Sequence, residues 1–171
     1  YGSDMNGVLD ALIGNWQTQL IFTAKSGLPL NVTLARTGTD PYTGRSYAYL
    51  ASSGGGELRP NLVGNPLTGN DPKDNRVYLD VNGFAMPAIN TPGNSPRNVT
   101  FGPGYWNVDI GLTKRFPIGS RQSLDFRIEA FNAFNNVNFR NPDAVLGASN
   151  FGLIQTSYDP RQVQLALRYA F

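Results

Sequence analysis

The sequence has no cysteine and no histidine, and charged residues make up only 15% of its 171 positions. Each shortage removes a class of chemistry. Without Cys there is no disulfide framework and no thiolate zinc or iron–sulfur site. Without His there is no Ser-His-Asp triad, no HExxH metal site and no imidazole base. The 14 Lys+Arg and 12 Asp+Glu leave a net charge of +2, which makes no electrostatic case for a nucleic-acid partner. No apolar run approaches the roughly 18 residues of a membrane helix, and no lysine-led leader opens the chain. Tyr1 is not an initiator Met, so the expectation is a mature product or a piece of something longer.

Small and neutral polar residues fill the gap: 19 Gly, 12 Pro and 18 Asn, beside 10 Phe and 8 Tyr. Helical periodicity is confined to residues 7–13, stopped by Gly14. Period-two alternation is strong in four segments, 15–25, 105–116, 122–134 and 161–171. In the first, Trp16, Thr18, Leu20, Phe22 and Ala24 share one face. In the second, Trp106, Val108, Ile110 and Leu112 lie opposite Asn107, Asp109, Gly111, Thr113 and Arg115. The third alternates Leu124, Phe126, Ile128 and Ala130 against Ser123, Asp125, Arg127 and Glu129. The fourth sets Val163, Leu165, Leu167, Tyr169 and Phe171 against Gln162, Gln164, Ala166, Arg168 and Ala170.

These segments are about twice the usual soluble strand and match the roughly 9–11 tilted residues that cross a bilayer. Asp109, Asp125, Arg127, Glu129 and Arg168 on their polar faces are too costly for a dry core. Lipid on one side and a watery lumen on the other would suit such strands; a soluble sheet with one solvated face produces the same alternation. The connections alternate as an up-and-down barrel requires: short at 10–14 and 117–121, long at 26–104 and 135–160. With the short side periplasmic, Trp16, Phe116, Tyr169 and Phe171 fall at one membrane interface and Tyr105, Trp106 and Phe134 at the other. The expectation is therefore an all-β, antiparallel up-and-down transmembrane β-barrel segment with long extracellular loops.

The segment 26–104 is rich in Gly, Pro, Asn and Asp and reads as a long loop, with 46–50 and 76–81 as a possible small hairpin. Several of its motifs have a chemical and a bland explanation. Asn70-Asp71-Pro72-Lys73-Asp74-Asn75 offers oxygen ligands, but it lacks the EF-hand spacing and closing Glu, so turn chemistry fits better. Gly54-Gly55-Gly56 follows no strand-to-helix context for a phosphate cradle. Asn31-Val32-Thr33 and Asn98-Val99-Thr100 match a glycosylation sequon that is common by chance. Tyr42, Tyr47 and Tyr49 could stack on a glycan, although burial is the commoner fate. Asp125 and Glu129 resemble an acid/base pair only until Arg127 between them is counted, which argues for ion pairing. No catalytic residue, cofactor or metal site is expected.

Four ordered blocks resemble TonB-dependent outer-membrane receptors, most closely the Oar-like type with a carboxypeptidase-regulatory-like domain. They are Leu12-Ile13-Gly14-Asn15-Trp16-Gln17 with Ser26-Gly27-Leu28-Pro29; Gly102-Pro103-Gly104-Tyr105-Trp106-Asn107-Val108-Asp109; Phe126-Arg127-Ile128-Glu129-Ala130-Phe131-Asn132-Ala133-Phe134-Asn135 with Asn138-Phe139; and the ending from Asp159 to Phe171. The resemblance implies the C-terminal part of a barrel of about 22 strands, in a Gram-negative outer membrane. It implies further partners: outer-membrane lipid, the plug and remaining strands, TonB through an N-terminal part, an unidentified bulky ligand, and the barrel-assembly machinery. The last would read the terminal strand through Leu165, Leu167, Tyr169 and Phe171. The alternative is a soluble or cell-surface β-rich module that binds a ligand such as a carbohydrate through the 26–104 loop. An eight-stranded barrel complete at this length fails, because 26–104 supplies no four further spanning strands.

Overall fold

The computed structural model describes residues 13–35, 58–88 and 91–171. Gly54-Gly55-Gly56, Tyr42, Tyr47, Tyr49, the 46–50 patch and all of 7–13 except Ile13 lie outside the described residues. The strands in chain order are β1 (Trp16–Lys25), β2 (Pro29–Leu30), β3 (Thr33–Leu34), β4 (Asn61–Leu62), β5 (Phe84–Ala85), β6 (Thr100–Phe101), β7 (Tyr105–Ile118), β8 (Gln122–Phe131), β9 (Val145–Leu146) and β10 (Gln162–Ala170). A helical turn, α1 (Pro72–Asn75), lies between β4 and β5. The chain divides into two compact units, one of 1–25, 106–137 and 159–171, the other of 26–105 and 138–158.

The first unit is a four-stranded sheet in the order β1-β7-β8-β10. Its three later strands run antiparallel. At the β1–β7 junction the Arg115 N–H donates to the Asn15 carbonyl and Gly111 lies against Gln19, so the two chains run in opposite senses. Side chains in a strand alternate between faces, and directly paired residues share one. Ile110 pairs with Ala130, Leu112 with Ile128, Lys114 with Phe126 and Phe116 with Leu124. Ala130, Ile128, Phe126 and Leu124 pair in turn with Val163, Leu165, Leu167 and Tyr169. The register therefore gathers the apolar residues of neighbouring strands on one side, as the alternation predicts.

β1 and β10 match the expected limits to within one residue at each end, and the larger departures are in β7 and β8. β7 continues through Pro117 and Ile118, leaving Gly119-Ser120-Arg121 as the turn, with Gly119 at φ 65°. β8 stops at Phe131 instead of Phe134, because Asn132 takes a left-handed conformation at φ 51°. Asn tolerates that region better than other L-residues, and Asn15, Asn98 and Asn135 also adopt it.

The described part of the long 26–104 segment contributes to a second unit with a core of its own. Leu30, Val32, Leu34, Leu79, Phe84 and Leu146 form a buried cluster, drawn from both segments of the unit. Short pairings frame it: β2 with β6, β3 with β9 and β4 with β5. Residues 76–81 form bridges of Val77 to Leu153 and Leu79 to Leu67, while their expected pairing with 46–50 lies outside the described residues. The Asn70–Asn75 stretch is turn chemistry. The Asp71 carboxylate caps α1 by accepting the Lys73 N–H at 2.9 Å, and the Asn75 side chain accepts the Val77 N–H at 3.0 Å.

Candidate functional site

Asp109, Asp125, Arg127, Glu129 and Arg168 all fall on the polar face of the sheet, since each alternates with its strand's apolar residues. Contacts across and within the strands hold them. Arg115 Nε donates to Asp125 Oδ1 at 2.8 Å across the β7–β8 junction, and Arg168 stands opposite Asp125 in the register. Arg127 pairs with Glu129, whose other oxygen accepts from Gln164 Nε2 on β10 at 2.6 Å. Asp109 Oδ1 accepts from Asn107 Nδ2 at 2.8 Å and from the Asn132 N–H at 2.9 Å. Asp125 and Glu129 are four positions apart on one strand, about 13 Å along the chain. That exceeds the roughly 5–9.5 Å between cooperating carboxylates in glycoside hydrolysis. Each is held instead by an arginine.

Gly111 leaves a gap in the middle of this polar face. A hollow of about 150 Å³ opens there, lined by Gln17, Gln19, Gly111, Thr113 and Arg127. Amide, hydroxyl and guanidinium groups line it, which suits water or another polar group rather than an apolar ligand. Among the described residues no group of three or more acidic side chains could hold a metal ion.

The apolar face is broad and open: Leu20, Phe22, Val163, Leu165 and Leu167 are each well exposed. Tyr169 stacks near Phe171, ring centroids 5.9 Å apart at 27°, and Phe171 is 94% exposed. At the other end Trp106 packs on Phe134 at 6.4 Å. Tyr105, grouped with them from sequence, belongs to the other unit and meets Tyr158 edge-on at 5.1 Å. Adjacent strand residues point to opposite faces, which separates Tyr105 from Trp106.

Lys114 was not among the residues singled out by sequence. Its register opposite Phe126 puts it on the apolar face, between Leu112 and Phe116, and it is only 2% exposed. The ammonium donates to the Gly14 carbonyl and lies 5.2 Å from the Trp16 ring centroid and 5.4 Å from that of Phe116. A broken alternation was the available clue: one cation in an otherwise apolar row.

Two blocks that suggested a family meet in the second unit. Gly27 packs against the Gly102 backbone so closely that a Cβ would collide with the Gly102 carbonyl, and the Gly102 N–H donates to the Leu28 carbonyl at 2.8 Å. The Asn31 side chain accepts the Asn98 N–H at 2.7 Å, linking the two sequons.

No helix among the described residues is long and apolar enough to cross a membrane, which leaves spanning by strands open. The family model for an outer membrane beta barrel domain matches residues 1–164. No curated protein and no solved structure matches the chain.

Proposed function

The chain belongs to the outer membrane beta barrel domain family, and from that premise we propose that it forms part of the wall of a TonB-dependent receptor in a Gram-negative outer membrane. The parent takes up a bulky ligand with energy delivered by TonB. The observation that carries this reading is the two-faced sheet, which aligns apolar side chains on one side and the ion-paired network on the other. Apolar residues facing lipid and charges facing a wet lumen satisfy both faces of strands this long. Among the described residues β1 and β10 each have a strand neighbour on one side only, and four strands do not close a barrel. Further strands would complete the wall. The lumen charges do structural work, with no catalytic step, and the segment 26–104 contributes to the ligand-facing extracellular surface. The terminal strand, through Leu165, Leu167, Tyr169 and Phe171, is what the barrel-assembly machinery engages.

Support also comes from the ordered resemblance blocks, two of which meet at Gly27 and Gly102. A cell-surface binding module is the second reading, favoured by the separate core around Val32 and Leu79. Reading the gene upstream of Tyr1 tests the first. The expected result is a plug segment and further alternating strands of about ten residues; an upstream stop and start codon overturns it.

A further inference from the structure

The polar face of the sheet carries more than its ion pairs. Gly111 has no side chain, and the hollow over it measures about 150 Å³. A cavity of about that size is enough for one six-membered ring. A second hollow of about 130 Å³ adjoins it, sharing Gln19, Gly111 and Arg127. Its farther wall includes Ile21, Asp109, Glu129 and Phe131. Both lie over β1, β7 and β8, inside one unit.

Hydrogen-bonding capacity in the first hollow is unused. The amides of Gln17 and Gln19 and the hydroxyl of Thr113 have no partner among the described residues, and each can both donate and accept. Arg127 gives one nitrogen to Glu129, and its other guanidinium N–H groups are unpaired among the described residues. Both Glu129 oxygens are engaged, one by Arg127 and the other by Gln164. Glu129 therefore positions the guanidinium and does not compete for a ligand. The second hollow adds apolar surface where the alternation is otherwise polar. Ile21 and Phe131 occupy polar-face positions of their strands and are 49% and 42% exposed.

These features select a ligand class. Arg127 shares the second hollow with Asp109 and Glu129, so an anion would meet carboxylates and a cation would meet the guanidinium. A neutral ligand meets neither conflict. It must offer donors and acceptors side by side, and an apolar surface next to them. A sugar ring does this, with hydroxyls on its rim and C–H groups on its face. An extended peptide is also neutral, but it pairs chiefly through its backbone, and the strand backbones here are already paired with each other.

Resting on the reading of this face as the barrel lumen, we propose that the hollow over Gly111 is a binding site for a neutral saccharide. One ring is hydrogen-bonded by Gln17, Gln19, Thr113 and Arg127, and the next lies against Phe131 and Ile21. The ligand taken up is thereby given a chemical class: a molecule carrying at least two neutral sugar rings.

Saturation-transfer NMR on the intact receptor, purified in a sugar-free detergent, tests this with maltose, cellobiose and lactose as probes. The expected result is transfer to the ring protons of at least one probe. Binding should weaken about five-fold in F131A, which loses the ring contact, and vanish in G111V, whose side chain fills the hollow. Gly111 is paired with Glu129 in the ladder, its Cβ would meet Gln19 at an ordinary 3.5 Å, and a β-branched residue suits a strand, so G111V keeps the fold. If it does not fold, the double variant Q17A/Q19A decides in its place. No transfer to any probe, or equal transfer in G111V, overturns the site. So does a neutral peptide that binds in a G111V-sensitive way when the disaccharides do not. Labelling tests the lumen reading separately, because the chain has no cysteine of its own. In cells, Q162C on the polar face should react with a membrane-impermeant maleimide and L165C on the apolar face should not. Equal labelling of the two would overturn the lumen reading itself.

Discussion

The carboxylate of Asp109 in β7 accepts the backbone N–H of Asn132 at 2.9 Å, just past the last residue of β8. Asn132 then joins β7 to the segment that follows β8 and the segment that leads into β10. Its Oδ1 accepts the Asn136 N–H at 2.9 Å, and its Nδ2 donates to the Asn136 carbonyl at 2.9 Å and the Asp159 carbonyl at 3.3 Å. The Ala133 N–H donates to the Val108 carbonyl at 2.8 Å, holding the turned chain against β7.

Replacing Asn132 by Ala is expected to cost about 2 kcal/mol, from unpaired part-buried groups and a left-handed backbone that Ala disfavours. N132G keeps the backbone conformation and loses only the side-chain bonds, so it should fall between. Urea unfolding of the protein in lipid vesicles measures both. Equal stability of N132A and the parent would show that the latch is idle.

Gly27 to Ala should destabilise the second unit by about 3 kcal/mol, because its Cβ has no room beside the Gly102 carbonyl. The same change at Gly69, where nothing lies within 4 Å, tests the role of φ alone, since that residue sits at φ 76°. Limited proteolysis of the two variants separates them: G27A should be cut within 26–105 at lower protease concentration than G69A.

Burial pushes the Tyr78 phenol above its ordinary value of 10.0, while its hydroxyl donates to the Phe101 carbonyl at 3.0 Å. The folded chain therefore holds that proton more tightly than the unfolded one. Stability from this group is complete below the ordinary value and is lost as pH rises through the raised one. Thermal unfolding at pH 9 and pH 11 should show a larger drop for the parent than for Tyr78→Phe; parallel drops would remove the assignment.

Phe171, almost wholly exposed at the end of the β10 segment, makes no large contribution to packing beyond its stack on Tyr169. Its deletion should leave the preformed sheet intact yet reduce outer-membrane insertion several-fold, read by fractionating cells that produce the protein. Insertion at the parent level would sink the proposed recognition by the assembly machinery.

Much of the sheet was legible because period-two alternation is a local property that needs no knowledge of partners. The apolar rows of β1, β7, β8 and β10 and the pairing of Arg127 with a carboxylate follow from residues within one segment. The expected end of β8 lies three residues late, although the alternation already breaks at Phe131 and Asn132, where the backbone turns to φ 51°. The core of the second unit was hidden: Leu30, Leu79 and Leu146 are far apart in sequence, and no short window carries their common burial.

By itself, then, the sequence determined which residues form long strands and which face each side chain takes, because strand geometry converts adjacency into opposition. Tertiary structure alone decided which strands became neighbours, how 26–105 and 138–158 share a core, and how Lys114 is enclosed. Those outcomes depend on contacts between segments separated by tens of residues, such as Lys114 with Gly14. Their stability comes from surface removed from water jointly, which neither partner's sequence records alone.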